Sequence, residues 1–398
     1  MNFIASQEHF TILNIGIFHQ SFCIIANVRI IVLLDLSACG DRASLMLDQL
    51  DLTDFRNHAA LRFRPEGQFI ILHGANGAGK TNILEGVSLL VPGRGLRRAA
   101  LLEMARKAGA GGFSVSALAN GNQFGTAVNA STPGRRQVHI NSAVTTINDL
   151  AQYFAILWLT PAMDRLFADG AGARRRFLDR LVLALDPAHA MHSSRYENAL
   201  KQRNRMLGEG QQDAAWFDAI EARLAEHGAA IAAARAMMLE QLSIAIAAMP
   251  PSPFATPLLT LAGDGLADAD ALAETFRSGR NRDRAAGRTL TGPHRTDLEV
   301  IHAGHGQPAV NCSTGEQKAL LLSVILAHAG LVKQIRGAPP ILLLDEVAAH
   351  LDPDRRAALF ERLTDTGSQV WMTGTEEQLF IAAGADAMRV HIADGTLS

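Results

Sequence analysis

The sequence predicts an α/β fold, a mixed sheet with flanking helices, interrupted by a long helical insertion. Three observations carry this. An apolar strand runs through a glycine-rich turn into a helix in "FIILHGANGAGKTNILEGVSLL", Phe69 to Leu90. A second apolar strand ends in two carboxylates in "PPILLLDEV", Pro339 to Val347. Between them lies a stretch with helical rather than strand periodicity.

The bulk properties fit a globular protein. The chain has 398 residues, 48% hydrophobic and 19% charged, enough for two domains or for one domain with a large insertion. A formal net charge of −2 means that any nucleic-acid site must be a local basic patch. Cys23, Cys39 and Cys312 form no CxxC pair, so a disulfide or zinc framework is not suggested and a reducing cytoplasm fits. The apolar stretch from Phe10 to Leu36 is broken by His19, Gln20, Asn27, Arg29 and Asp35, which argues against a membrane span. Residues 1–45 are read as a non-native extension, with translation starting at or near Met46, and the intact mass of the native protein tests this.

Taken in order, Leu47, Leu50, Leu52 and Phe55 alternate as a strand does. "FSVSALANGNQFGTAVNAS" reads as a hairpin turning at Asn120-Gly121, and "RRQVHINS" as a further strand. Helix is expected from "DRLFADGAGARRRFLDRLVLALD" near Asp164, through "HSSRYENALKQRNRML", to a turn at "GEGQQ". A second long helix spans about Asp213 to Met249, where Pro250 and Pro251 stop it. Phe217, Ile220, Leu224, Ile231, Met238 and Leu242 keep a nearly seven-residue stripe, which suits two antiparallel helices forming an arm of roughly 55 Å. α/β alternation then resumes, with the helix "DPDRRAALFERLTD" capped by Asp and the strand "SQVWMTGT". The expected division is residues 46–160 for the first part of the head, 161–284 for the helical arm and 285–398 for the second part of the head.

Gly74, Ala75, Asn76, Gly77, Ala78, Gly79, Lys80 and Thr81 match GxxxxGKT, followed by Asn82. Glycines let backbone amides fold around phosphate oxygens at a helix N-terminus, Lys80 reaches the β- and γ-phosphates, and Thr81 ligates Mg²⁺. Asp345 is the expected partner on Mg²⁺, and Glu346 the base that polarises water. The ligand expected from these residues is a nucleoside triphosphate with Mg²⁺.

"NCSTGEQKALLLSVILAHA" places Ser313, Gly315, Glu316 and Gln317 before a long helix. This resembles the signature motif of ABC ATPases, and Leu351 and Asp352 resemble their D-loop. The resemblance implies that Ser313, Gly315 and Gln317 meet the nucleotide of a second copy, so that ATP joins two chains into a homodimer. Residue by residue, an ordinary capped helix explains Ser313 to Gln317 as well.

The chain is further similar to the RecF family of bacterial recombination mediator ATPases. "LDLTDFRNH", "GANGAGKTN", "GRGLRR", "RRRFLDR", "YENALKQRN", "TGPHRTDLE" and "STGEQK" occur in the family's order from Met46 onward. Residues 1–45 have no counterpart, and "TPAMD" around Pro161 departs from the family wording, leaving the Q-loop unplaced. The resemblance implies ATP-dependent dimerisation on gapped or junction DNA and slow, DNA-stimulated ATP hydrolysis. It also implies action with RecO and RecR to load RecA in repair, replication restart and the SOS response. Arg56, Arg94, Arg97, Arg98, Arg174, Arg175 and Arg176 are the candidate phosphate contacts, each equally explicable as a solvated surface residue. His294, Arg295 and Asp297 are read as bracing the return of the insertion, with action of their charges near the dimer interface as the alternative, and His73 as a packing or surface residue. A nucleotide switch acting mainly on proteins, or a transporter ATPase subunit, are the other classes. Thr373 and Thr375 stand where a transporter carries its switch histidine.

Overall fold

The computed structural model describes residues 46–398 apart from Asp264, Asp394 and Ser398, so the expectation for residues 1–45 lies outside the described residues. In chain order, β1 (Gln49–Phe55), β2 (His58–Phe63) and β3 (Phe69–His73) precede α1 (Lys80–Ser88) and the short α2 (Leu101–Met104). Then come β4 (Phe113–Ala119), β5 (Asn122–Val128), β6 (Arg136–Ile140), β7 (Ala143–Thr145), α3 (Ile147–Tyr153) and β8 (Ile156–Leu159). The middle of the chain holds α4 (Ala171–Leu185), α5 (Ala188–Gly208), α6 (Ala214–Ala247), β9 (Pro257–Ala262) and α7 (Ala269–Ala286). The last part holds β10 (Asp297–His302), β11 (Gln307–Pro308), α8 (Thr314–Arg336), β12 (Ile341–Leu344), α9 (Pro353–Thr366), β13 (Val370–Gly374), β14 (Met388–Ala393) and β15 (Thr396–Leu397).

These strands form two six-stranded sheets, in the orders β2-β1-β4-β5-β6-β7 and β15-β14-β3-β13-β12-β8, and a small sheet β11-β10-β9. In the second, β14, β3, β13, β12 and β8 are parallel. Their strands are continuous apolar runs because both faces are covered, and β8, β12 and β13 are buried throughout. Alternation along β3 divides its side chains between two cores: Ile70 and Leu72 join the antiparallel sheet and α1, while Phe69 and Ile71 join α4, α8 and α9. The antiparallel sheet begins as expected, with Leu47, Leu50, Leu52 and Phe55 all essentially inaccessible to water. Its β4–β5 turn places Asn120 at φ 48° and Gly121 at φ 72°, the left-handed pair that a two-residue hairpin requires.

Three expectations are corrected. Helix does not begin at Asp164: Pro161–Arg165 forms a single 3₁₀ turn, and α4 starts only at Ala171, after Gly170. The middle of the chain is not purely helical, since β9 pairs antiparallel with β10. Nor is the arm a two-helix pair, because α7 joins α5 and α6 around Tyr196, Phe217, Leu224, Leu272 and Phe276. The expected stripe on α6 is nonetheless the buried one. Phe217, Ile220, Leu224 and Ile231 face the three-helix core, and Met238 and Leu242 continue into the main core, so one helix of roughly 51 Å serves both. Length and composition alone would let α6 and α8 cross a membrane, but α8 is mostly buried in the core and α6 packs on α5, α7 and α8.

Candidate functional site

Parallel β3, β12, β13 and β8 bring their carboxyl ends to one edge, the usual place for a ligand in such sheets. Register sets Leu344 beside Leu159 and Met372, so the residues that follow these strands converge. Asp345, 6% exposed, emerges between Thr160 and Thr373. Its Oδ1 accepts from Thr81 Oγ1 at 2.8 Å and from Thr373 Oγ1 at 2.7 Å. The backbone N–H of Glu346 donates to Thr373 Oγ1 at 2.9 Å, and Glu346 itself sits at φ 53°, in the left-handed region.

The turn from Gly74 to Lys80 wraps tightly. A side chain at Gly74 would come within 2.3 Å of the Ile392 carbonyl, and one at Gly79 within 2.6 Å of Asn57, whereas Gly77 faces open space. Lys80, 4% exposed, folds back to donate to the carbonyls of Gly74 and Ala75 at 2.6 and 2.9 Å. Burial lowers its pKa, opposed by Glu346 and Asp345. Asn57 Nδ2 donates to Ala78 O and its Oδ1 accepts from Asn82, so the β1–β2 turn braces the loop from outside. The donor set suits a hard divalent cation: hydroxyl and carboxylate oxygens of Thr81 and Asp345 already meet at hydrogen-bond distance, as ligands of one Mg²⁺ would.

Ser313 is the N-cap of α8. Its Oγ accepts from the N–H of Glu316, and the Glu316 carboxylate returns to the Ser313 N–H at 2.8 Å, a complete capping box. His305 approaches the other Glu316 oxygen at 3.1 Å. Gln317 turns inward and donates to Cys312 O. Among the described residues the Ser313 side chain bonds only Glu316, and Gly315 has open space beside it.

The arginines separate into two groups. Arg56 clasps buried Glu85 with two nitrogens and gives a third bond to Glu103 O, and Arg174 clasps Asp297 in the same manner. The Asp297 bonds raise Arg174 above the ordinary arginine value. Arg175 donates to Thr296 O and Arg97 to Asn82. Arg94, Arg98 and Arg176 are exposed, and none is paired with a carboxylate among the described residues. His294 accepts from the Tyr196 hydroxyl at Nδ1 and donates to Thr289 O from Nε2, as a brace does. His73 packs against His391.

Sequence reasoning missed two features of this edge. Half-buried Arg136 on β6 bonds the carbonyls of Leu89 and Gly93 and so fixes the loop from Gly93 to Arg98, and desolvation lowers its pKa to about 10. The "TPAMD" segment, unplaced from sequence, puts Thr160 to Met163 in the wall of a cavity shared with Asp345. Nothing in the local wording signals either, because both depend on strand register.

A glycine-rich loop and a carboxylate-tipped strand on one parallel edge, an antiparallel sheet packed on the same core and a capped helix downstream define an ABC-type ATPase head. Residues 46–397 match the family described as RecF/RecN/SMC N terminal domain. "DNA replication and repair protein RecF" of Mesorhizobium japonicum is 47% identical over 371 residues, covering 89% of this chain and 98% of that protein. The protein of the same name from Brucella suis biovar 1 is 47% identical over 373 residues, covering 90% and 97%. The chain belongs to the RecF family. Solved structures share the fold: recombination mediator protein RecF-ATP in the RecFOR pathway aligns with TM-score 0.74 at 21% identity over 89% of this chain and 99% of that one. The Smc head domain from Pyrococcus furiosus aligns with TM-score 0.51 at 16% identity, covering 88% and 95%.

Proposed function

We propose that the chain is an ATP-gated DNA-binding protein of repair and replication, whose two copies close on DNA around ATP and open on slow hydrolysis. The carrying observation is the meeting of Thr81 and Asp345 beside the glycine-rich loop, with Glu346 next in the chain. Gly74 to Lys80 would enclose the phosphates, Thr81 and Asp345 would hold Mg²⁺, and Glu346 would orient the attacking water. Asn82 and Asn57 would keep the loop in register. Mg²⁺ would supply charge neutralisation across the phosphates. Ser313 and Gly315, at the positive end of α8, would present the closing face to the partner's phosphates, while Gln317, turned inward onto Cys312 O, would brace that end from within.

The names of the relatives support the same reading, as proteins of DNA replication and repair. On it, Arg94, Arg97, Arg98, Arg175 and Arg176 are the remaining DNA contacts. Arg56 and Arg174 leave that set, since withdrawing either would strand the carboxylates of Glu85 or Asp297. Cooperation with RecO and RecR in loading RecA, and a place in the SOS response, belong to this proposal.

Sedimentation with and without ATP and gapped DNA tests it. ATP should convert monomer to dimer, Lys80→Ala should abolish both nucleotide binding and the dimer, and Ser313→Arg should bind ATP as a monomer. An ATP-induced dimer in Ser313→Arg would reject the two-copy closure.

A further inference from the structure

The cavity beside Asp345 has a volume of about 400 Å³ and lies between the loop carrying Arg98, the turn Thr160 to Met163, and α4. Arg176 and Arg180 project from α4, with Trp158 from β8 beneath. The Arg180 guanidinium lies 3.7 Å from the centroid of the Trp158 ring, and among the described residues its one hydrogen-bond partner is Met163 Sδ at 3.9 Å. Burial, reinforced by Arg98 and Arg176, brings Arg180 down to about 9. The only carboxylates in the wall are Asp169 and Asp345, and neither forms an ion pair with these arginines among the described residues.

Elsewhere the fold gives its internal arginines oxygen acceptors, backbone carbonyls for Arg136 and Arg175 and carboxylates for four others. Arg56 has Glu85, Arg174 has Asp297, Arg203 has Glu221 and Asp283, and Arg235 has Asp179. Three converging cations outside any ion pair repel one another, opposed only in part by Asp169 near Arg176, and Arg180 has only the weak acceptor Met163 Sδ. Trp158 offsets part of this by a cation–π contact, which fixes the Arg180 plane while leaving its N–H edge free to donate. Arg136 holds the loop that delivers Arg98. The arrangement is preorganised for an anion of the size and charge of a phosphate, which pairs well with planar guanidinium groups.

We infer that this cavity is a second phosphate-binding site, separate from the glycine-rich loop, in which Trp158-supported Arg180 is the fixed donor and Arg98 and Arg176 close over the anion. The phosphate comes from a DNA backbone or from a free phosphate. Because Asp345 belongs to both walls, occupancy of one site is felt at the other, and the coupling is reciprocal. Only the DNA source rests on the function proposed above; the anion chemistry does not.

The test has two arms on the full chain. In a Trp216→Phe, Lys80→Ala background, where Trp158 and the fully buried Trp371 remain, inorganic phosphate is titrated while tryptophan fluorescence is followed, a change at Trp158 being read against the constant core signal of Trp371. Duplex DNA binding is measured against salt concentration for the wild type and for Arg98→Gln/Arg176→Gln, a pair of exposed positions that keeps the test valid where Arg180→Gln fails to fold. A salt slope lower by about 1 in the double variant, with no response to free phosphate, assigns a backbone phosphate. A fluorescence change that Arg180→Gln or the double variant abolishes, with an unchanged slope, assigns free phosphate. No fluorescence response together with equal salt slopes overturns the site. Absence of DNA binding by the wild type defeats the DNA reading alone, and the fluorescence arm then decides the pocket.

Discussion

Thr81 and Asp345, 264 positions apart in sequence, are joined by a 2.8 Å hydrogen bond, and the same Asp345 oxygen accepts from Thr373. On the function proposed above, Mg²⁺ would take the place of this hydroxyl-to-carboxylate bond and be held by the same two side chains. Thr81→Ala removes one ligand and leaves the Thr373 bond, so the fold should hold while Mg²⁺–ATP affinity falls about tenfold or more, the worth of one bond to a charged group. Calorimetric titration with ATP, with and without Mg²⁺, reads this. Equal Mg²⁺ dependence in variant and wild type would remove Thr81 from the metal site.

Ser313 anchors α8 through a reciprocal bond with Glu316. Ser313→Ala loses the acceptor for the Glu316 N–H and should cost about 1 kcal/mol of unfolding free energy. Urea denaturation checks it, and an unchanged midpoint would show that the cap is dispensable. The same substitution should weaken the ATP-dependent dimer, whereas Ser313→Thr keeps the hydroxyl and both properties.

The parts legible in the sequence were those whose chemistry demands contiguous residues. Gly74 to Thr81 must be consecutive to wrap a phosphate, and Asn120-Gly121 must be adjacent to turn a hairpin. Helix α7 was invisible because it buries little beyond Leu272 and Phe276 and reads as a polar segment. Arg56 and Arg98 are both loop arginines near the same edge. Only register shows that Glu85 takes the first and that no carboxylate takes the second. The pairing of Arg180 with Trp158 depends on β8 lying under α4, which no local pattern encodes.

Arg203 is fully buried in the three-helix lobe, bonded to Glu221, Asp283, Thr289 and the Phe276 carbonyl. Arg203→Met would leave buried Asp283 with only the 4.0 Å pair to Arg282 among the described residues, a loss of about 3 kcal/mol. The double variant Arg203→Met/Asp283→Leu removes both charges and should recover part of that loss. Denaturant midpoints of the two variants decide it, and a double variant less stable than the single would refute the charge argument.

His328 sits at the centre of α8 with no water access, its Nε2 donating to the Leu181 carbonyl at 3.0 Å and its Nδ1 without a partner. Burial lowers its pKa from 6.5 to about 4. Above pH 6.5 the ring is neutral in folded and unfolded chains alike and contributes no pH dependence. Between 6.5 and 4 the unfolded chain binds a proton that the folded chain refuses, so stability falls as pH falls, by about 2 kcal/mol at pH 5 and about 3 kcal/mol once pH is below 4. His73, His227 and His294 are lowered by burial too and act in the same direction, so the wild-type profile alone does not isolate His328. His328→Gln keeps an N–H for Leu181 and does not titrate. Its urea midpoint should therefore fall less between pH 7 and 5 than that of the wild type, and parallel profiles would show that His328 takes its proton without unfolding the core.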